Sequence, residues 1–177
     1  MRAPSIPAIV VTGPVGAGKS TVGGVLAALV GERGLRTAFI DMDYLRWLHP
    51  AQSGDRFSSG LGLRNLAAIW PNFLAAGVRC VVIADVMEDR SQTATHAGHM
   101  PGSAVTVVRL DVPMPLIHER LRQRERTPGD LAWSVARAPE LQAIMENAGI
   151  GDLVIEVGTR TPEEIAAEII ERTGILA

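Results

Sequence analysis

One short run of residues limits the possible fold of this chain more than any other. Residues 13–20 read Gly-Pro-Val-Gly-Ala-Gly-Lys-Ser, which matches the spacing G-x-x-x-x-G-K-[ST]. Glycines adopt backbone dihedral angles that residues with a Cβ resist, so such a loop can wrap closely around a phosphate group. Its N–H groups and the N-terminus of the following helix then point at the anion. The run therefore predicts a phosphate-binding loop, or P-loop, between a strand and a helix.

The flanking residues supply the context that this motif requires. The apolar run Ile6–Thr12 predicts a strand before the loop, and helical spacing of apolar residues begins near Lys19. In such a loop the lysine reaches the β- and γ-phosphates of ATP, while the Ser20 hydroxyl ligates Mg²⁺. We therefore predict ATP and Mg²⁺ as cofactors. The predicted nucleotide-binding residues are Gly13, Val15, Gly16, Ala17, Gly18, Lys19, Ser20 and Thr21.

Strands and helices are expected to alternate along the rest of the chain. The further strands are predicted at residues 37–41, 78–84, 104–110 and 153–157. Their apolar runs do not alternate with polar residues, which is typical of parallel strands covered on both faces. We predict an α/β three-layer sandwich, a five-stranded parallel sheet of the P-loop NTPase kinase type with helices on both faces. Pro71 and Pro139 are expected to kink or divide the helices that contain them.

Length and composition favour one domain covering residues 1–177. Hydrophobic residues make up 47% of the chain and charged residues 20%, which are ordinary globular values. The net charge of −2 gives no case for nucleic acid as a partner. No apolar run reaches the roughly 18 residues of a membrane span, and residues 1–7 do not resemble a signal peptide. The single cysteine, Cys80, favours a reducing compartment, so we expect a cytoplasmic protein. The oligomeric state cannot be predicted.

Three aspartates follow predicted strands. Asp41 and Asp43 end the second strand, at the edge where ligands bind open α/β sheets. If the strand continues, their i, i+2 spacing points both carboxylates the same way, and we predict Asp43 as the catalytic base and Asp41 in the magnesium shell. The alternative is that Asp41 caps a turn and Asp43 begins a helix. Asp85 ends the third strand and either binds Mg²⁺ through water or caps the strand end.

The P-loop followed by Ile40-Asp41-Met42-Asp43-Tyr44-Leu45-Arg46 resembles the small P-loop kinases. Adenylylsulfate kinase has a strand-ending D-G-D followed shortly by an arginine, and gluconate kinases and the chloramphenicol phosphotransferase family are similar there. The resemblance implies the strand order 2-3-1-4-5, ATP-dependent transfer to a hydroxyl, and an arginine-bearing lid. It also implies Asp43 as the acid on the acceptor side and Arg46 as an acceptor ligand.

The resemblance gives a role to an arginine cluster. Four arginines lie between residues 120 and 126. They form either a solvated helix face paired with glutamates or part of a lid at about residues 118–130, and we predict Arg120 and Arg124 as catalytic lid residues. Tyr44 and Trp47 are predicted to line the acceptor site. His96 and His99 have a spacing seen in metal sites, but we expect a flexible polar loop there.

These features favour a small-molecule kinase. Mg·ATP would bind the P-loop, and Asp43 would activate an acceptor hydroxyl. Lys19 and the lid arginines would stabilise the negative charge of the transition state. The acceptor class stays open between a nucleotide-like compound such as adenylylsulfate, a sugar acid and an antibiotic. The alternative function is an ATP-binding switch or accessory protein without a small-molecule acceptor.

Overall fold

The carboxyl ends of five parallel strands form one edge of the molecule. In the computed structural model, which describes residues 5–50, 54–55 and 57–176, the sheet order is β2-β3-β1-β4-β5. The strands are β1 (Ile6–Thr12), β2 (Thr37–Asp41), β3 (Cys80–Ala84), β4 (Ser103–Asp111) and β5 (Leu153–Glu156). This order is the one that the family resemblance implies, and the predicted α/β fold is confirmed.

Seven helices accompany the strands in the described part of the chain. They are α1 (Lys19–Glu32), α2 (Met42–Leu45), α3 (Ser59–Ala75), α4 (Ser91–His99), α5 (Met114–Arg124), α6 (Pro128–Asn147) and α7 (Pro162–Thr173). None of the described helices is long and apolar enough to cross a membrane.

Alternate residues of the central strand, β1, pack into two apolar cores on the two faces of the sheet. Ile9 and Val11 of β1 point into a core shared with α1, α5 and α7, whereas Ala8 and Val10 point into a core shared with α3. Because side chains of a strand alternate between faces, a strand covered on both sides must be apolar at every position. This is why the predicted strands read as continuous apolar runs.

Both proline-containing helices remain undivided, so of the two predicted effects, a kink or a division, the division is wrong. Pro71 lies inside α3 and Pro139 inside α6. On α3, Leu66 and Trp70 are both buried in one core, which holds the turns before the proline against the sheet. Tertiary packing therefore offsets the hydrogen bond that each proline removes.

The expected polar loop around His96 is also wrong. Residues 91–99 form α4. Two side chains bond the backbone at and just before its first residue: Asp89 Oδ1 accepts from Ser91 N at 2.7 Å, and Gln92 Oε1 accepts from Glu88 N at 2.6 Å. At the other end of the chain α7 begins with a capping box, in which Thr161 and Glu164 bond reciprocally.

Trp70 provides a test of this packing. Its side chain is 1% exposed, and its Nε1 donates to Pro101 O at 3.1 Å. Trp70→Ala should lower the free energy of unfolding by about 3–5 kcal/mol in urea denaturation, because it leaves a cavity in the core. Leu74→Ala, one turn later and 40% exposed, is the control and should change it by about 0.5 kcal/mol. Equal effects of the two substitutions would contradict this packing.

Candidate active site

The predicted P-loop joins β1 to α1 as the motif requires. Gly16 has φ of 83°, and a Cβ there would lie 3.0 Å from Leu121 Cγ of α5. Gly18 is the N-cap of α1 with φ of 92°. A side chain at either position would be strained, and at Gly16 it would also push the loop away from α5. The glycines thus fix both the loop's shape and its contact with α5.

Lys19 lies at the centre of the site. Its Nζ donates to Gly13 O and Pro14 O, each at 3.1 Å. Burial lowers the pKa of Lys19 to about 8, opposed by the charges of Asp43, Asp85 and Asp41. Burying a cation among backbone carbonyls is costly, so an anion beside Lys19 would stabilise its charged form.

Two cavities meet at this lysine. The first, here called the P-loop cavity, has a volume of about 580 Å³. Residues of the loop line it together with Arg120, Arg124 and Arg160. Arg120 is held against the loop, because its Nη1 donates to Ala17 O at 3.1 Å. The cavity thus combines the loop and the helix N-terminus with three arginines.

The second, here called the Arg46 cavity, has a volume of about 400 Å³. It lies among the ends of β2 and β3 and the helices α3, α4 and α6, and it has both charged and apolar walls. Lys19, Asp43 and Arg124 line this cavity and also the P-loop cavity. These three side chains therefore stand between the two spaces.

The end of β2 determines the positions of Asp41 and Asp43. Because β2 ends at Asp41, the prediction that a continuing strand aligns the two carboxylates is wrong. Asp41 Oδ1 instead accepts from Asp43 N at 3.0 Å and caps α2, as in the alternative prediction. Asp43 Oδ1 accepts from Arg46 Nε at 3.1 Å and Nη2 at 2.6 Å. Both aspartates nevertheless lie close enough to Lys19 to affect its pKa.

A buried network that the sequence did not predict lies behind Asp43. Asp85 Oδ1 accepts from Val86 N at 2.8 Å and pairs with Arg46 Nη2 at 3.1 Å. Asp85 Oδ2 pairs with His96 Nε2 at 3.0 Å. Asp85 is thus a neighbour of Arg46 and His96, and its proposed role near Mg²⁺ stays a prediction.

His96 has acceptors at both ring nitrogens. Nδ1 lies 2.8 Å from Gln92 O, opposite the contact of Nε2 with Asp85. Burial alone would lower the pKa of His96, but the hydrogen bond and charge of Asp85 outweigh it and raise the pKa. Since a carbonyl and a carboxylate both accept, this geometry suits the doubly protonated ring. Arg46, Asp85 and His96 therefore form an alternating chain of charges leading away from Asp43.

The structure does not place all the predicted residues at the cavities. Ser20 and Thr21 line the P-loop cavity, and Val15 lines the Arg46 cavity. Tyr44 and Trp47 stack on each other with ring centroids 6.1 Å apart. They are 74% and 76% exposed and line neither cavity, so the geometry gives no support to their predicted substrate role.

The residues present fit Mg·ATP. The glycine-shaped loop, the buried Lys19 and the arginines of the P-loop cavity together provide donors and positive charge for a phosphate chain. Among the described residues no three carboxylates, histidines or cysteines cluster as a metal cage. In kinases Mg²⁺ is usually held by one or two protein oxygens together with phosphates and water, and Ser20, whose hydroxyl is such an oxygen, lines the P-loop cavity.

The His96 network should make stability depend on pH. Because the folded-state pKa of His96 is raised above 6.5, its contribution is fully present below pH 6.5 and is lost as the pH rises through the folded value. Urea denaturation in metal-free buffer from about pH 5.5 to about pH 9 should show this loss. His96→Gln should reduce the loss, whereas His99→Gln, on the same helix, should retain it. An unchanged pH profile in the His96→Gln variant would contradict the assignment, and the ring's NMR titration in the unmodified protein is an independent check.

Known proteins show the same fold. No family model matches the chain. A shikimate kinase from Chromohalobacter salexigens is 28% identical over 188 residues, covering 95% of this chain and 92% of that protein. A tunicamycin resistance protein from Deinococcus radiodurans superposes with a TM-score of 0.66 at 18% identity, covering 96% of each chain.

A second solved structure has a bound nucleotide analogue. The APS kinase of Mycobacterium tuberculosis, in complex with AMPPNP and APS, superposes with a TM-score of 0.62 at 23% identity, covering 97% of this chain and 99% of that one. These similarities confirm the predicted resemblance to small P-loop kinases of the nucleoside monophosphate kinase type, and with it the prediction of a small-molecule kinase.

Proposed function

We propose that this chain transfers the γ-phosphoryl group of Mg·ATP to a hydroxyl of a small molecule that binds in the Arg46 cavity. One observation carries the proposal: Lys19, Asp43 and Arg124 line both cavities. A phosphoryl group transferred from ATP in the P-loop cavity to an acceptor in the Arg46 cavity would pass these three side chains. An enzyme of this type works mainly by positioning and charge stabilisation, and these residues offer both.

Each side chain has a role in this mechanism. Asp43 orients the acceptor hydroxyl and takes its proton as the new oxygen–phosphorus bond forms and the bond to the leaving ADP breaks. Asp43 Oδ1 accepts both bonds from Arg46, so Oδ2 is the oxygen we assign to the hydroxyl. Arg46 thereby positions the base. We keep the acceptor contact that the resemblance implies for Arg46 as a prediction.

The remaining charges act on the nucleotide side. Lys19 and Arg124, which border both cavities, would stabilise the charge of the transferred group, and Arg120 would contact the phosphate chain from α5. Ser20 and Asp41 are our choices for the Mg²⁺ shell, with Asp85 acting through water. Bound Mg²⁺ neutralises phosphate charge in such a site. A lid at about residues 118–130 and a cytoplasmic location also remain proposals.

The competing function is a nucleotide-dependent switch without a small acceptor. Such a protein needs the P-loop cavity but has no need for a carboxylate between it and a second cavity. The position of Asp43 favours the kinase. ADP formation that depends on an added hydroxyl compound separates the two functions.

Asp43→Asn should lower acceptor-dependent ADP formation by about 10²–10⁴-fold, because asparagine cannot take the proton. ATP affinity, measured by calorimetry, should stay near normal. Asp41→Asn is the matched control: asparagine still caps α2, so transfer should persist at saturating Mg²⁺, with a higher Mg²⁺ requirement. If Asp41→Asn abolishes transfer at every Mg²⁺ concentration and Asp43→Asn does not, the two roles are reversed.

Lys19→Ala should abolish transfer and weaken ATP binding, because it removes the buried cation between the cavities. The same two assays measure both effects, with circular dichroism as the check on folding. Full activity in this variant would rule out the proposed phosphate site.

A further inference from the structure

The charges on the acceptor side of the Arg46 cavity are already paired with one another. Arg46 contacts Asp43 at 2.6 Å and Asp85 at 3.1 Å, and its side chain is largely buried. His96 contacts the other oxygen of Asp85. A buried arginine shared by two carboxylates has little charge left for a third anion.

The other arginine of this wall is paired in the same way. Arg137 of α6 contacts Glu88 through Nη2 at 2.7 Å and Glu140 through Nη1 at 2.8 Å. Glu88 itself lines the cavity. The two remaining cations at this cavity, Lys19 and Arg124, also face the P-loop cavity. Within the described residues, each cation that lines only the Arg46 cavity is therefore already paired with a carboxylate: Arg46 with Asp43 and Asp85, His96 with Asp85, and Arg137 with Glu88 and Glu140.

Another part of the lining is apolar and aromatic. Phe57 and Trp133 face each other across 6.3 Å between ring centroids at an interplanar angle of 47°. The apolar lining includes Met42, Phe57, Leu63, Val86, Trp133 and Leu141. A ligand surface that contacts such a wall gains by removing apolar area from water.

We propose that the acceptor is an uncharged hydroxyl compound with an apolar ring or chain beside the hydroxyl, and that carboxylates and phosphates are disfavoured. This inference rests on the proposed function and selects among its acceptor classes. An anion in the cavity would approach Asp85 and Glu88 and would have to compete with them for Arg46 and Arg137. A neutral acceptor leaves those pairs intact and places its apolar face on the aromatic wall.

Matched pairs that differ only in one charge test the proposal. The probes are mandelate and methyl mandelate, shikimate and methyl shikimate, and gluconate and gluconamide. Binding to the full chain with Mg²⁺ and a non-hydrolysable ATP analogue is measured by calorimetry, and ADP formation is measured with ATP. In any pair that binds, we expect the neutral compound to bind about tenfold more tightly or better. The reason is that a bound anion would have to displace Asp85 or Glu88 from Arg46 or Arg137. Methyl mandelate, which has an aromatic ring beside its hydroxyl, should be the best ligand.

Two substitutions locate the effect in this cavity. Glu88→Gln releases Arg137 from one carboxylate and should shift the affinity ratio toward the acid by several-fold, whereas Glu32→Gln, on the exposed end of α1, should leave it unchanged. Trp133→Ala should weaken binding of methyl mandelate, and Leu74→Ala should not. Melting curves of all four variants exclude unfolding as the cause.

The outcomes separate this proposal from the proposed function. Neutral preference with acceptor-dependent ADP formation supports both. Neutral preference in binding without ADP formation supports the acceptor class and contradicts the transfer reaction. Preference for the acid in the unmodified protein, or no binding by any of the six compounds, overturns the acceptor class. In the first of those cases ADP formation from an acid would still support the kinase.

Discussion

The carboxylate of Asp85 is the interaction on which the arrangement of the site depends. It lies at the end of β3, almost fully buried, and it joins Arg46, which follows α2, to His96 of α4. Breaking a buried pair of this kind typically costs about 3–5 kcal/mol, because one charge is left without compensation. The position of Arg46 in turn determines the orientation of Asp43. One buried charge thus links the sheet to two helices and to the proposed base.

The parts of the fold that could be predicted are those where local chemistry and tertiary structure agree. The P-loop glycines permit little else than a tight turn between strand and helix, and the strands β1 and β2 match their predicted limits because apolar runs end in residues with clear roles at the edge of the sheet. Thr161 and Glu164 likewise form a capping box at the start of α7, where the local sequence and the helix agree. The convergence of Lys19 and Asp43 followed from their common edge of a parallel sheet.

The rest depended on contacts between distant segments. Helix α4 is polar and contains no apolar face of the usual spacing, so it could not be distinguished from a loop. It is held to the sheet by the pairing of His96 with Asp85, eleven residues earlier. Pro71 and Pro139 were given too much weight because propensity ignores the packing that holds their helices. Tyr44 and Trp47 follow Asp43 within four residues of sequence, yet their rings stack on each other at the surface.

The contact of Gly16 with Leu121 has a consequence for the entropy of binding. It packs the phosphate loop directly on α5, and Arg120 on that helix is already bonded to Ala17 O. Immobilising a free arginine side chain on a ligand costs about 0.5–1.5 kcal/mol of rotamer entropy. Here most of that freedom is lost when the protein folds. Arg120 is therefore preorganised for its ligand, whereas the more exposed Arg124, in the last turn of α5, is paired with Glu125 instead.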